Sequence, residues 1–146
     1  IIIVSSAPQI RYPDCYGIDM AKIDNFIVFK ATLKLLEERN TLEQTLESIY
    51  SKCKLNQDYP IEKVENCVRA LYDPFSNEQI SAKIAQMLKG NNIKAKVEVI
   101  FQTIEGLHKA CPKNLGDWYF SGDYPTELTD KNEGILSSQL SLLSDN

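Results

Sequence analysis

Long apolar runs are missing from the sequence. The longest stretches, such as Ile1–Val4, contain four residues, whereas a membrane-spanning helix needs roughly 20. The basic region, apolar stretch and small-residue cleavage site of a secretory signal are also missing ahead of the part that reads as folded. We therefore expect a protein without a membrane segment or an export signal.

Residue types that often carry catalysis are scarce. His108 is the only histidine, which excludes most Ser-His-Asp, Cys-His and histidine-ligated metal sites. The phosphate loops GxxxxGK[ST] and GxGxxG do not occur. Asp14 and Asp19 lie five positions apart, and we interpret this carboxylate pair as structural. The residues by themselves do not specify a reaction.

An excess of basic residues is missing too. Sixteen Lys and Arg against 20 Asp and Glu leave a formal net charge of -4, which argues against a protein that neutralises the phosphates of duplex nucleic acid. The four cysteines, Cys15, Cys53, Cys67 and Cys111, include no CxxC pair, as is typical of a reduced protein with buried or incidental thiols. We predict a cytoplasmic location and neither a nucleic-acid nor a membrane partner.

The composition is that of one globular domain, with 146 residues, 43% of them hydrophobic and 25% charged. Its first residues, Ile1–Val4, are all β-branched, which predicts a strand buried on both faces of a parallel sheet. Such a strand needs neighbouring strands, and the chain begins inside it without an initiator Met. We therefore expect a fragment of a longer polypeptide.

The middle of the chain is predicted to be helical. One helix covers 24–39, and two others begin at the capping boxes of Thr41 and Ser76. A further helix begins at Pro60, because proline suits a first helical turn. Gly90 is placed to end the last of the four.

The pattern changes after residue 92. Apolar and polar residues alternate over 93–101, which predicts a half-buried strand. Thr103 is placed to cap a short helix. Aromatic residues concentrate in 115–125, and we interpret this cluster as packing an end of the fold. The last residues, 127–146, lack strong periodicity and are predicted to be a flexible tail.

Three stretches resemble one enzyme family and follow its order. Residues 5–20 read SSAPQIRYPDCYGIDM, residues 99–107 read VIFQTIEGL, and residues 120–127 read FSGDYPTE. They resemble the segment after the phosphoribosyl-pyrophosphate loop, a late strand–helix pair, and a motif near the end of some members of the amidophosphoribosyltransferases. The helices over 30–89 are longer than in common members, which predicts a lineage-specific insertion.

The resemblance implies a glutamine amidotransferase and glycosyltransferase that makes 5-phosphoribosylamine from phosphoribosyl pyrophosphate and glutamine, the first committed step of purine synthesis. The glutaminase, with its N-terminal cysteine nucleophile, and the acidic phosphoribosyl-pyrophosphate loop are expected to precede Ile1. The chain alone is then inactive and works with the rest of the same polypeptide, in a homo-oligomer. The alternative is a stand-alone helical regulatory or protein-interaction module derived from a phosphoribosyltransferase.

The fold class implied is α/β, a helix-rich C-terminal fragment of a type I phosphoribosyltransferase-like domain with few strands. The segments are then the last core strand and loop (1–20), a helical region (21–92), a strand–helix and aromatic end segment (93–126) and the flexible tail (127–146).

The resemblance also assigns five residues to the edge of the transferase site, through backbone contact or packing: Ser5, Ser6, Tyr16, Gly17 and Asp19. It assigns no catalytic and no metal-binding residue to this chain, and Mg²⁺ belongs to the full-length enzyme. Some members hold an iron–sulfur cluster through four cysteines. Corresponding positions here carry Asp14, Lys113 and Gly116, which predicts no cluster and no cofactor in this chain.

Overall fold

The computed structural model describes residues 1–13, 22–56, 66–90, 93–113 and 116–124. Several predicted features lie outside these ranges: Tyr16, Gly17, Asp19, the helix start at Pro60 and the tail 127–146. The described elements are strand β1 (Ile2–Ser5), a 3-10 turn (Ile23–Asn25), helices α1 (Ile27–Glu38), α2 (Leu42–Asn56), α3 (Arg69–Tyr72) and α4 (Asn77–Lys89), strand β2 (Glu98–Phe101), and helices α5 (Ile104–Ala110) and α6 (Trp118–Ser121). The fold is therefore helix-rich α/β.

The two strands form a parallel sheet, the kind of sheet that the sequence predicts for β1, but their pairing with each other was not predicted. Ile2 is aligned with Glu98, and Ser5 with Phe101. In the described part of the chain these two strands are the whole sheet. The connection between them contains α4, which packs against β2. Parallel neighbours need such a crossover, because a tight turn cannot return the chain to the same end of the sheet.

The burial predicted for β1 is wrong in the described structure. The exposed fractions are 63% for Ile1, 66% for Ile2, 42% for Ile3 and 70% for Val4. The physical reason is that α4 packs on β2, where Val99 is only 8% exposed, while β1 lies beyond β2 and, among the described residues, is paired along one edge. An apolar strand is thus left in contact with water.

Helices α1 and α4 pack against each other and form the core. Leu36 of α1 and Ile80 and Ile84 of α4 are at most 1% exposed. Thr32 is also buried, and its hydroxyl donates to the carbonyl oxygen of Val28 at 2.9 Å. The buried hydroxyl of Thr32 therefore has a hydrogen-bond partner.

A charged contact also joins α1 and α4. Lys83 is 8% exposed, and its Nζ donates to Glu38 Oε1 at 2.6 Å, to Glu38 Oε2 at 2.7 Å and to Gln86 Oε1 at 2.6 Å. A buried ammonium group needs such partners, because its desolvation is otherwise costly. The contact therefore fixes the register of α4 against α1.

Three local signals at helix ends, those at Ser76, Gly90 and Thr103, are confirmed. Ser76 Oγ accepts from the Gln79 N–H at 3.2 Å, and the Gln79 side chain accepts from the Ser76 N–H at 2.9 Å, which is the predicted capping box. Gly90 has a φ of 54°, a conformation that favours glycine. Thr103 Oγ1 accepts from the Gly106 N–H at 2.9 Å and caps α5 as predicted.

Three element boundaries differ from prediction. In the described part, the helix predicted from Pro60 is limited to α3, which follows a turn at Cys67 and Val68. The helix predicted over 24–39 is a 3-10 turn followed by α1, because Phe26 is extended, with φ -76° and ψ 126°. The strand predicted over 93–101 is limited to Glu98–Phe101, the part that faces β1. No helix within the described ranges is both long and apolar enough to cross a bilayer.

A matched pair of valines tests the unequal burial of the two strands. Val4→Thr should change the unfolding free energy by less than about 0.5 kcal/mol, because its side chain is already in water. Val99→Thr should lower it by about 1–3 kcal/mol, because a hydroxyl replaces a buried methyl group. Urea denaturation followed by circular dichroism measures both, and equal losses would contradict the arrangement of the sheet.

Candidate functional site

The carboxyl ends of β1 and β2 lie beside the segment 5–13 and the start of α4. Ligands of open parallel sheets bind beyond these ends of the strands. Ser5 ends β1, and its Oγ donates to the Ala7 carbonyl at 3.0 Å and accepts from the Ala7 N–H at 3.2 Å. Ser5 therefore holds the turn, whereas Ser6 is exposed.

Gln9 attaches this segment to α4. The residue is 4% exposed, and its Nε2 donates to the Asn77 carbonyl at 2.8 Å and to Ser81 Oγ at 3.0 Å. Its Oε1 accepts from Arg11 at 2.8 Å. A buried amide with its donor and acceptor both bonded fixes the chain on either side of it.

Arg11 lies beside the start of α4. Its guanidinium donates to Gln9 and, at 2.5 Å, to Asn77 Oδ1. It also lies 5.2 Å from the centroid of the Tyr72 ring, a distance suited to a cation–π contact. These described partners are all neutral, so the positive charge is oriented but not neutralised by them. Such a group can bind an anionic ligand.

Two buried tyrosines contact each other and this segment. Tyr72 donates from its hydroxyl to the Arg11 carbonyl at 2.8 Å, and its ring meets that of Tyr12 edge to face, with centroids 5.7 Å apart. Burial raises the pKa of Tyr72 strongly and also raises the pKa of Tyr12. Both phenols are therefore neutral packing groups at physiological pH.

The aromatic segment 116–124 also contacts residues 11 and 12. The Tyr119 carbonyl accepts from the N–H groups of Arg11 at 2.9 Å and Tyr12 at 3.1 Å. Gly122 has a φ of 75°, and a Cβ there would lie 2.9 Å from Cζ of Tyr12, so glycine permits the close approach. These contacts come from the main chain of the segment, and no residue of α6 is buried, so the interpretation of the aromatic side chains as packing residues is not confirmed for α6.

The structure places two of the five predicted site residues. Ser5 and Ser6 follow the carboxyl end of β1, where the sequence puts them, while Tyr16, Gly17 and Asp19 lie outside the described residues. Sequence analysis missed the bonded group formed by Gln9, Arg11, Asn77 and Ser81. The available signals were two polar residues within a proline-containing loop, and a helix start with polar residues four positions apart.

Other titratable groups offer no catalytic centre in the described ranges. His108 Nε2 lies 2.9 Å from Asp117 Oδ2 at an exposed position. Cys53 contacts the thiol of Cys67, and burial first and this contact second raise the pKa of Cys53 to about 12, so it is a poor nucleophile. Within the described residues, no group of three or more His, Cys, Asp and Glu side chains is placed to hold a metal ion.

Alkaline unfolding tests the buried phenols. A pKa raised by folding means that stability is complete below roughly pH 10 and falls above it, by up to about 1.4 kcal/mol per pH unit for each group. Tyr72→Phe should cost about 1 kcal/mol at pH 7, through the lost hydrogen bond to Arg11, and should lessen the alkaline decline. Urea denaturation at pH 7, 10 and 11 measures both. Tyr50→Phe on α2 is the control, and an alkaline decline identical in the two variants would contradict the assignment.

Comparison with known proteins does not identify a family for this chain. No protein-family model, no curated protein and no solved structure matches this chain.

Proposed function

We propose that this chain is the C-terminal portion of an amidophosphoribosyltransferase, which makes 5-phosphoribosylamine from phosphoribosyl pyrophosphate and glutamine in the first committed step of purine synthesis. The proposal starts from the three sequence stretches at 5–20, 99–107 and 120–127. A helix-rich fold with a parallel strand pair is consistent with the end of a type I phosphoribosyltransferase domain. The cytoplasmic location and the homo-oligomer belong to the same proposal.

The observation that carries the proposal is the state of β1. Glu98 donates from its N–H to the Ile1 carbonyl at 2.9 Å, and Gln102 to the Ser5 carbonyl at 3.2 Å. Backbone groups alternate in direction along a strand, so those of Ile2 and Val4 point away from β2. Among the described residues no strand pairs with this edge of β1, and an apolar strand of this kind suits a sheet whose further strands come from elsewhere.

The proposal assigns support of the phosphorylated substrate to the carboxyl end of the sheet. Ser5 and Ser6 belong to the same segment as Arg11, whose described partners are neutral. In the full-length enzyme this edge, together with the predicted Tyr16, Gly17 and Asp19, would support the phosphorylated substrate. Catalysis and Mg²⁺ binding belong to the preceding part of the polypeptide, so the chain alone makes no product.

The reading frame upstream of the Ile1 codon provides the decisive test. We expect it to encode a hydrophobic strand followed by two adjacent acidic residues and, at the start of the mature protein, a cysteine. The extended protein should form phosphoribosylamine from glutamine and phosphoribosyl pyrophosphate, while the 146-residue chain should form none. Activity of the short chain, or an upstream frame without these features, would overturn the proposal; the second result would favour the stand-alone module.

Arg11 provides a test at the level of one side chain. In the extended protein, Arg11→Gln should raise the KM for phosphoribosyl pyrophosphate by roughly tenfold to a hundredfold, because a charged hydrogen bond is worth about 1.5–3 kcal/mol. The KM for glutamine should stay unchanged. Arg39→Gln is the control, because that guanidinium lies 4.3 Å from the Phe75 ring centroid, in a separate contact. Equal effects of the two variants would remove Arg11 from the substrate site.

A further inference from the structure

A groove of about 540 Å³ lies between α4 and the edge of β2 that faces away from β1. Gln9, which follows β1, bonds to Asn77 at the start of α4, so α4 runs back from the carboxyl end of the sheet towards its amino end. Glu78 lines one end of the groove, and Lys89 and Lys96 line the other. The groove is therefore acidic beside the carboxyl end of β2 and basic beside its amino end.

The edge of β2 along this groove has backbone groups that β1 does not use. Glu98 and Gln102 donate their N–H groups to β1. Because the backbone groups of successive residues alternate in direction along a strand, those of Val99 and Phe101 point towards the groove, which both residues line. In the described part of the chain, β2 pairs with β1 alone. A further strand can therefore pair with this edge.

The dimensions of the groove suit a short extended peptide. Glu78 and Lys89 are 11 positions apart, which is a rise of roughly 16 Å along α4. Five to six residues of an added strand, at roughly 3.4 Å each, cover the same distance. Ala82 lines the groove between these two residues and is exposed. Its small side chain leaves room for an apolar side chain of the peptide.

Charge complementarity determines the direction of such a peptide. Lys89 and Lys96 are exposed, and neither forms a salt bridge with a described residue. An acidic residue or a terminal carboxylate suits these lysines, and a basic residue suits Glu78. A peptide antiparallel to β2 has its amino end beside Glu78 and its carboxyl end beside the lysines. Antiparallel edge strands are common on otherwise parallel sheets.

We propose that this groove binds an extended segment of a partner polypeptide, antiparallel to β2, with a basic amino end, alternate apolar residues and an acidic carboxyl end. The binding mode is strand addition, in which main-chain hydrogen bonds provide affinity and alternate side chains provide specificity. The open edge of β1, which the proposed function assigns to the rest of the polypeptide, takes no part. The proposal is therefore independent of the enzymatic assignment.

A fluorescently labelled heptapeptide, Lys-Val-Thr-Val-Thr-Val-Asp, tests the backbone pairing by fluorescence anisotropy with the 146-residue chain. The side chains of Val99 and Phe101 face the core, so the directly paired valines of the peptide lie on the same face and point their N–H groups at β2. N-methylation of the central valine should weaken binding roughly tenfold. N-methylation of a neighbouring threonine, whose N–H points away from β2, should have little effect. No saturable binding up to about 1 mM, or equal effects of the two methyl groups, would overturn the proposal.

A double charge reversal tests the direction of the peptide. Lys89→Glu/Lys96→Glu should weaken binding of this peptide roughly tenfold, because each surface pair contributes up to about 1 kcal/mol. The same variant should bind more tightly than the unmodified chain to an amidated peptide that ends in Lys instead of Asp. Lys30→Glu/Lys34→Glu, at exposed positions of α1, is the control with the same net charge and should change neither affinity. If the two double variants behave alike, the lysines of the groove do not recognise the peptide and the proposal is wrong.

A third pair of variants locates the binding site. Ala82→Trp should fill the groove and abolish binding, whereas Ala110→Trp, at an exposed position of α5, should not. Circular dichroism verifies that each variant is folded. Binding that survives Ala82→Trp places the peptide elsewhere, such as on the edge of β1, and contradicts the proposal. A chain that sediments as a dimer and does not bind the peptide contradicts it as well, because a second copy then covers the groove.

Discussion

The packing of α4 against α1 on one side and β2 on the other is the interaction on which the described structure depends. Ile80 and Ile84 are almost completely buried, and Lys83 joins α4 to Glu38 across the α1 interface. A two-stranded sheet is marginal alone in water, so β2 needs the helix beneath it. The position of β2 in turn determines that of β1, which pairs with it along one edge.

The same helix also orients the carboxyl end of the sheet. The Ser76 capping box places Asn77 and Ser81 in the first turns of α4, where they accept hydrogen bonds from the Gln9 side chain. Gln9 then orients Arg11. The cation at the candidate site is therefore positioned by a helix start whose geometry follows from local sequence. Substitutions that weaken the α4 cap should therefore change the position of the Arg11 side chain, through Asn77, Ser81 and Gln9.

Local and long-range features differ in how far the sequence predicts them. At Ser76 and Thr103 the side chain of the cap bonds to a backbone group three residues away. Both partners of each bond therefore lie within one short stretch of the sequence. The β-branched run predicted a strand of a parallel sheet for β1, but not that its partner would be β2. The exposure of β1 was not predicted either, since burial depends on the elements packed around a strand. The contact between Gln9 and Asn77 joins residues 68 positions apart, and no pattern within either segment indicates it.

The contrast between the loop and β1 bears on the proposed function. Residues 9–12 are fixed by contacts from α4, Tyr72 and Tyr119, all supplied by this chain, whereas β1 is paired along one edge in the part of the chain that the structure describes. Ser5 and Ser6 connect these two parts, so their positions depend on both. If further strands pair with Ile2 and Val4, they add the missing constraint on the amino side of the serines. A site that requires both constraints forms only when the sheet is extended, which gives a structural reason for the inactivity proposed for the chain alone.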